Sequence, residues 1–165
     1  MTASSARGYA AVRAELARSV QPGMSRDELL SLAVDALWDH LHGTGVSWLG
    51  VYAREGDELV LRARRDKPAC SPIGLHGACG RALLEQTSLV IRDVGDLGPA
   101  YVACDPRDLS ELVVPLFEKS GECWGVFDAD SFDRGSFDEH EAHEVFSVLC
   151  EIGLTAGRPP AVVVV

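Results

Sequence analysis

Two periodicities divide the chain. Residues 5–20 carry apolar positions near helical spacing and predict a first helix, loosely docked, which the QPGM break at 21–24 ends. Ser25-Arg-Asp-Glu28 is a capping box, and it predicts a second helix running to about His42. Leu29, Leu30, Ala33, Leu37 and Leu41 form its apolar stripe, and Gly43 to Gly45 closes it. From Val46 the pattern changes. VSWLGVYA (46–53) and LVLRARR (59–65), joined by the turn REGDE, predict a β-hairpin. A loop rich in proline and glycine follows at 66–77, then a short helix at 78–86 and a strand at 88–94. A long loop spans 95–110, and long loops in small domains tend to carry function. ELVVPLFE (111–118) and CWGVFDAD (123–130), linked by KSGE, predict a second hairpin. Ser136-Phe-Asp-Glu139 reads as another capping box opening a last helix to about Leu154, with Val145, Phe146, Val148 and Leu149 apolar. The tail GRPPAVVVV has no predicted partner.

This order predicts an α+β fold: a central antiparallel sheet of about five to six strands with helices packed on one side. The expected division is an N-terminal extension at 1–24, one domain at 25–156 and a tail at 157–165, with no repeat or linker inside the domain. A length of 165 residues suits a single core.

Charge narrows the function. The net charge is −10 and no Lys/Arg cluster exceeds a short Arg-Arg piece, so nucleic acid is not an expected partner. No apolar run approaches the roughly 18 residues that cross a bilayer, and charges interrupt every candidate leader core in MTASSARGYAAVRAEL. The expected compartment is the cytoplasm. Five cysteines without an export signal argue against a disulfide scaffold and leave transient bridges as the exception.

Cys123 and Cys150 fall in apolar stretches, where a free thiol serves as a small hydrophobe. Cys70, Cys79 and Cys104 fall in or beside loops, where that role is less natural. Metal binding is one alternative, with His76 as a further ligand, but spacings of nine and 25 do not match the C-x(2–4)-C pairs of structural zinc. A thiol nucleophile with a resolving thiol is the other; it requires exposure and loops that let two sulfurs meet. Among the acids, Asp128 and Asp130 stand at i and i+2 on a strand and point to one face, which Glu111 joins if its strand pairs antiparallel. Such a trio would bind a cation, or keep one carboxyl protonated; a solvated strand end is the plainer reading. Trp48 and Tyr52 share a face of the first strand, as core or as pocket wall. His140 and His143 are expected to be exposed.

VSWLGVY, DKPAC, GACG, VACD, SELVVP and GVFDADS, in this order and at nearly these intervals, resemble the free methionine-R-sulfoxide reductases, which are built on a GAF domain. The resemblance covers about residues 30–150. It implies Cys104 as the nucleophile that attacks the sulfoxide sulfur, Cys70 as the main resolving cysteine and Cys79 as a second one. It further implies that Glu111, Asp128 and Asp130 bind the free amino acid and polarise its oxygen, and that Trp48 and Tyr52 enclose its methyl end. Thioredoxin is the implied reductant, free methionine sulfoxide the implied substrate, and no cofactor or metal is implied. The GAF precedent and an exposed first helix suggest a homodimer. The chain departs from the pattern around the nucleophile: the Cys70–Cys79 interval is one residue shorter, PRDL follows VACD, and Tyr101 stands where a His is common. The reading from another class is a non-catalytic GAF domain that senses a small ligand or an oxidant.

Overall fold

The capping box forms as the sequence predicts. In the computed structural model, which describes residues 7–101 and 104–165, Ser25 Oγ accepts from the Glu28 N–H and the Glu28 carboxylate accepts from the Ser25 N–H at 2.8 Å. That cap opens α2 (Arg26–Leu41), which follows α1 (Tyr9–Ser19). Residues 1–6, where the expected first helix begins, and Val102 and Ala103 of the VACD motif lie outside the described residues.

The strands are β1 (Val46–Glu55), β2 (Glu58–Arg65), β3 (Ile73–Gly74), β4 (Ser88–Ile91), β5 (Ser110–Phe117), β6 (Cys123–Ser131) and β7 (Val162–Val164). They form one sheet in the order β3-β2-β1-β6-β5-β4-β7. The expected sheet of five to six antiparallel strands is therefore corrected to seven strands in a mixed sheet. The added members are two short edges. Ile73 and Gly74 pair with β2, and the valine tail pairs parallel to β4, with Leu89 opposite Val163. The tail does have a partner, because β4 offers an open edge of backbone donors and acceptors.

Helices occupy both faces, not one. α1, α2 and α4 (Glu139–Glu151) cover one face, packing Val12, Leu16, Leu37, Phe146 and Leu149 against Leu49, Val51, Val114 and Phe127. The short α3 (Ala78–Glu85) lies on the other face, where Ala82 and Leu83 meet Leu89, Val113 and Val126. The strand period of two sorts these sets: alternate residues of β1, β4, β5 and β6 belong to opposite cores.

Two further expectations change. α1 is firmly docked, with Tyr9, Val12 and Leu16 buried. Arg7, just before it, forms a fully buried ion pair with Glu141 of α4 at 2.6 Å, and Tyr9 Oη donates to the same carboxylate at 2.9 Å. The N-cap of α4 is Asp138, accepting from the Glu141 N–H, and not Ser136. The Ser136 hydroxyl is taken instead by Arg7, which donates to it at 2.7 Å. No helix among the described residues is long and apolar enough to cross a membrane.

Candidate functional site

Register builds the site. β5 and β6 do pair antiparallel, and Glu111 lies directly opposite Asp130. On the other side of β6, Asp130 faces Trp48, while Asp128 faces Gly50. One row across the sheet thus reads Trp48, Asp130, Glu111, Ile91, and the next reads Gly50, Asp128, Val113, Leu89. Gly50 is required where it stands. A Cβ there would lie 2.5 Å from the edge of the Trp48 indole and 2.9 Å from the Ala63 carbonyl oxygen. Its absence lets the indole fold along the strand toward Tyr52, with ring centroids 6.3 Å apart.

The three carboxyls are not a solvated strand end. Glu111, Asp128 and Asp130 are 5%, 6% and 9% exposed. Burial pushes all three above the usual carboxylate range, and their mutual repulsion adds to the shifts of Asp128 and Asp130. Glu111 Oε2 and Asp128 Oδ1 are buried and find no donor among the described residues. A proton on Asp128, directed at Glu111, reconciles two adjacent acids at neutral pH; it raises the Asp128 pKa and offsets part of the rise at Glu111.

Above this acidic floor is a cavity of about 300 Å³. Trp48 and Tyr52 wall it, Cys79 lies at the start of α3, and Cys70 and Cys104 line it from two loops. Cys70 and Cys104, 34 residues apart in sequence, are joined in a disulfide with their Cα atoms 5.8 Å apart. Both residues are exposed. Cys79 is free and buried, and its Sγ lies with a Glu111 and an Asp128 oxygen, all within 4.8 Å of one another. Burial first, then Asp128 and Glu111, push the Cys79 thiol well above its ordinary value. Cys123 is also free and buried, and Cys150 is half-buried.

The loops are moored from below and from the side. Trp48 Nε1 donates to the Lys67 carbonyl and Tyr52 Oη to the Cys70 carbonyl, each at 2.9 Å. From the side, Lys67 pairs with Asp105, the neighbour of Cys104. Asp105 also takes Arg107 at 2.8 Å, and these cations hold its carboxyl well below the usual range. Both cations rest against the Phe132 ring, at 5.0 Å for Lys67 and 4.6 Å for Arg107.

The GAF domain family matches residues 23–152. The chain belongs to that family. Over 115 residues this GAF domain is 33% identical to the Saccharomyces cerevisiae protein named free methionine-R-sulfoxide reductase, a match that covers 66% of this chain. The chain spans 58–66% of the length of the curated relatives it matches, 63% in the yeast case. Among solved structures, the Staphylococcus aureus protein fRMsr in its reduced form superposes with a TM-score of 0.81 at 28% identity, covering 93% of this chain and 97% of that one. A free methionine-R-sulfoxide reductase from Neisseria meningitidis, solved in complex with its substrate, gives 0.78 at 31% identity, covering 88% and 86%.

All eight candidate site residues from the sequence line this same cavity: Cys70, Cys79, Cys104, Glu111, Asp128, Asp130, Trp48 and Tyr52. His76, weighed as a metal ligand, is an exposed residue of its lining. The structure adds Asp108 and Tyr101. Asp108 is 6% exposed, and burial with the nearby Asp105 charge pushes its pKa up to about 6. It is the third residue of PRDL, and an isolated aspartate in a loop offers no periodicity to reveal it. Tyr101 faces the Glu111 carboxyl, the position its place among the departures from the family pattern marked. His140 and His143 are exposed, as expected.

Proposed function

We propose that this GAF domain reduces free L-methionine-(R)-sulfoxide to methionine with its own cysteines. The observation that carries this reading is the Cys70–Cys104 disulfide at a cavity floored by three buried carboxyls. Neither half alone suffices: a loop disulfide without a pocket has no substrate, and an acidic pocket without a nucleophile does no redox chemistry. The relatives' names and the substrate complex of the Neisseria protein support the choice of substrate.

The steps follow from the positions. The substrate's methyl end sits against Trp48 and Tyr52, and its ammonium and sulfoxide oxygen meet the carboxyls. Asp128, kept protonated by burial, supplies the proton that the sulfoxide oxygen takes. The Cys104 thiolate attacks sulfur, the protonated oxygen passes from that sulfur to Cys104 as the new sulfur–sulfur bond breaks, and methionine departs, leaving Cys104 as a sulfenic acid. The Cys70 thiol then condenses with it, forming the disulfide and releasing water. Two thiols have supplied two electrons, and an external dithiol of the thioredoxin class restores them. Cys79 is the second resolving group, a buried thiol whose thiolate burial and the neighbouring acids make costly to form.

The test is NADPH consumption coupled through thioredoxin and its reductase, with free R-sulfoxide, the S epimer and a peptide-bound form as substrates. The R form alone is turned over, and Cys104→Ser abolishes turnover. Failure of the folded, fully reduced protein to turn over any of the three sinks the reading and leaves a ligand-sensing GAF domain in its place.

A further inference from the structure

The geometry points to a binding site for one thiophilic divalent cation, of which Zn²⁺ is the type, at the cavity floor between Cys79, Glu111 and Asp128. A ligand atom from each lies within 4.8 Å of the others, and all three residues are buried. Acid clusters are common on protein surfaces, but this one differs in a way that calls for a ligand. Glu111 Oε2 and Asp128 Oδ1 are more than nine-tenths buried, border the cavity and have no donor among the described residues. Without a cation the only relief for these oxygens among the described residues is the proton the two acids share, and a cation that displaces it satisfies both at once.

The donor set selects the ion. One sulfur and two carboxylates suit a borderline ion such as Zn²⁺ or Co²⁺, and the thiol disfavours Mg²⁺ and Ca²⁺, which take oxygen ligands. Bonds of about 2.3 Å to sulfur and about 2.1 Å to oxygen would set the donors about 3.4–3.6 Å apart around a tetrahedral ion. No separation now exceeds 4.8 Å, so closing on the ion is a contraction of at most about 1.4 Å, within the reach of side-chain rotation at the three residues. The fourth position opens into the cavity. On entry the metal displaces the Cys79 thiol proton and the proton held between the two carboxyls; both pass to water. The same carboxyls are those assigned above to the sulfoxide substrate, so metal and substrate exclude one another. That exclusion rests on the proposed function; metal binding itself does not.

The experiment uses the full chain in its disulfide form, in which Cys70 and Cys104 offer no thiolate. Co²⁺ is titrated and followed by its sulfur-to-metal charge-transfer absorption. The expected result is one Co²⁺ per chain, displaced by Zn²⁺ and not by Mg²⁺. Cys79→Ser removes the charge-transfer band, while Cys123→Ser and Cys150→Ser retain it. Glu111→Gln and Asp128→Asn each weaken binding by at least about tenfold, since even outer-sphere losses reach that size. These two variants keep the test decisive if Cys79→Ser does not fold, which circular dichroism reports. No Co²⁺ binding, a band that persists in Cys79→Ser, affinity unchanged in both carboxyl variants, or displacement by Mg²⁺ each overturns the site. A chain that binds Co²⁺ but turns over no sulfoxide defeats the proposed function alone. A chain that turns over sulfoxide but binds no Co²⁺ defeats this inference alone.

Discussion

Asp128 shows at the scale of one residue how the site opposes the fold. Its carboxyl is buried beside two others, so the folded state holds a proton that the unfolded chain would release. An acid whose folded pKa is raised contributes stability fully below its unfolded value, about 4, and loses it as pH rises through the folded value. For Asp108 that window runs from about 4 to about 6; for Asp128 it extends further up. Unfolding free energy measured by denaturant titration is therefore expected to fall between pH 5 and pH 8. Asp128→Asn is expected to fall less over that range and to exceed the native protein in stability at pH 8, while losing turnover. A variant as pH-sensitive as the native chain would refute this. The acids were legible as same-face strand positions, and pairing with β5 brought in Glu111. Their burial was not legible, because sequence does not show what covers a strand's end.

Between elements, the two cysteine loops are held together by charge. Asp105 binds Lys67 of one loop and Arg107 of its own, with Phe132 beneath both cations. In the reaction proposed above Asp105 touches no reacting atom, and its expected role is positioning, keeping Cys104 near Cys70. Asp105→Asn is expected to leave attack on the sulfoxide nearly unchanged and to slow disulfide closure several-fold. The check is a single turnover with a sulfenic-acid trap: trapped product rises in the variant, and equal trapping in both proteins would exclude the role. This clasp lies partly in PRDL, the segment that departs from the family pattern, so the resemblance could not supply it. Helix capping was legible where the cap competes with nothing, at Ser25. It was misleading at Ser136, where Arg7, 129 residues away in sequence, claims the hydroxyl.

For the molecule as a whole, two attachments close the fold. Arg7 and Glu141 are wholly buried, and a buried charge stripped of its partner costs about 3–5 kcal/mol. Arg7→Ala is expected to lose that amount in denaturant titration, with kcat near native in whatever fraction folds; a change under about 1 kcal/mol would mean the pair is screened. The valine tail covers β4, and Val165 continues the pairing with a backbone bond to Val90 at 2.8 Å. Removing residues 158–165 is expected to give concentration-dependent self-association by light scattering, because β4 would present an unpaired edge. A truncated chain that stays monodisperse would argue otherwise. Neither attachment could be read from periodicity: one is a single arginine ahead of a helix, the other four valines after a proline pair. Trp48 and Tyr52, finally, serve two masters. Each ring borders the cavity, and each polar tip grips the backbone of the strand of chain that carries Cys70. A guest that tilts either ring tugs on that chain, so filling the hollow and freeing the sulfur become one linked equilibrium.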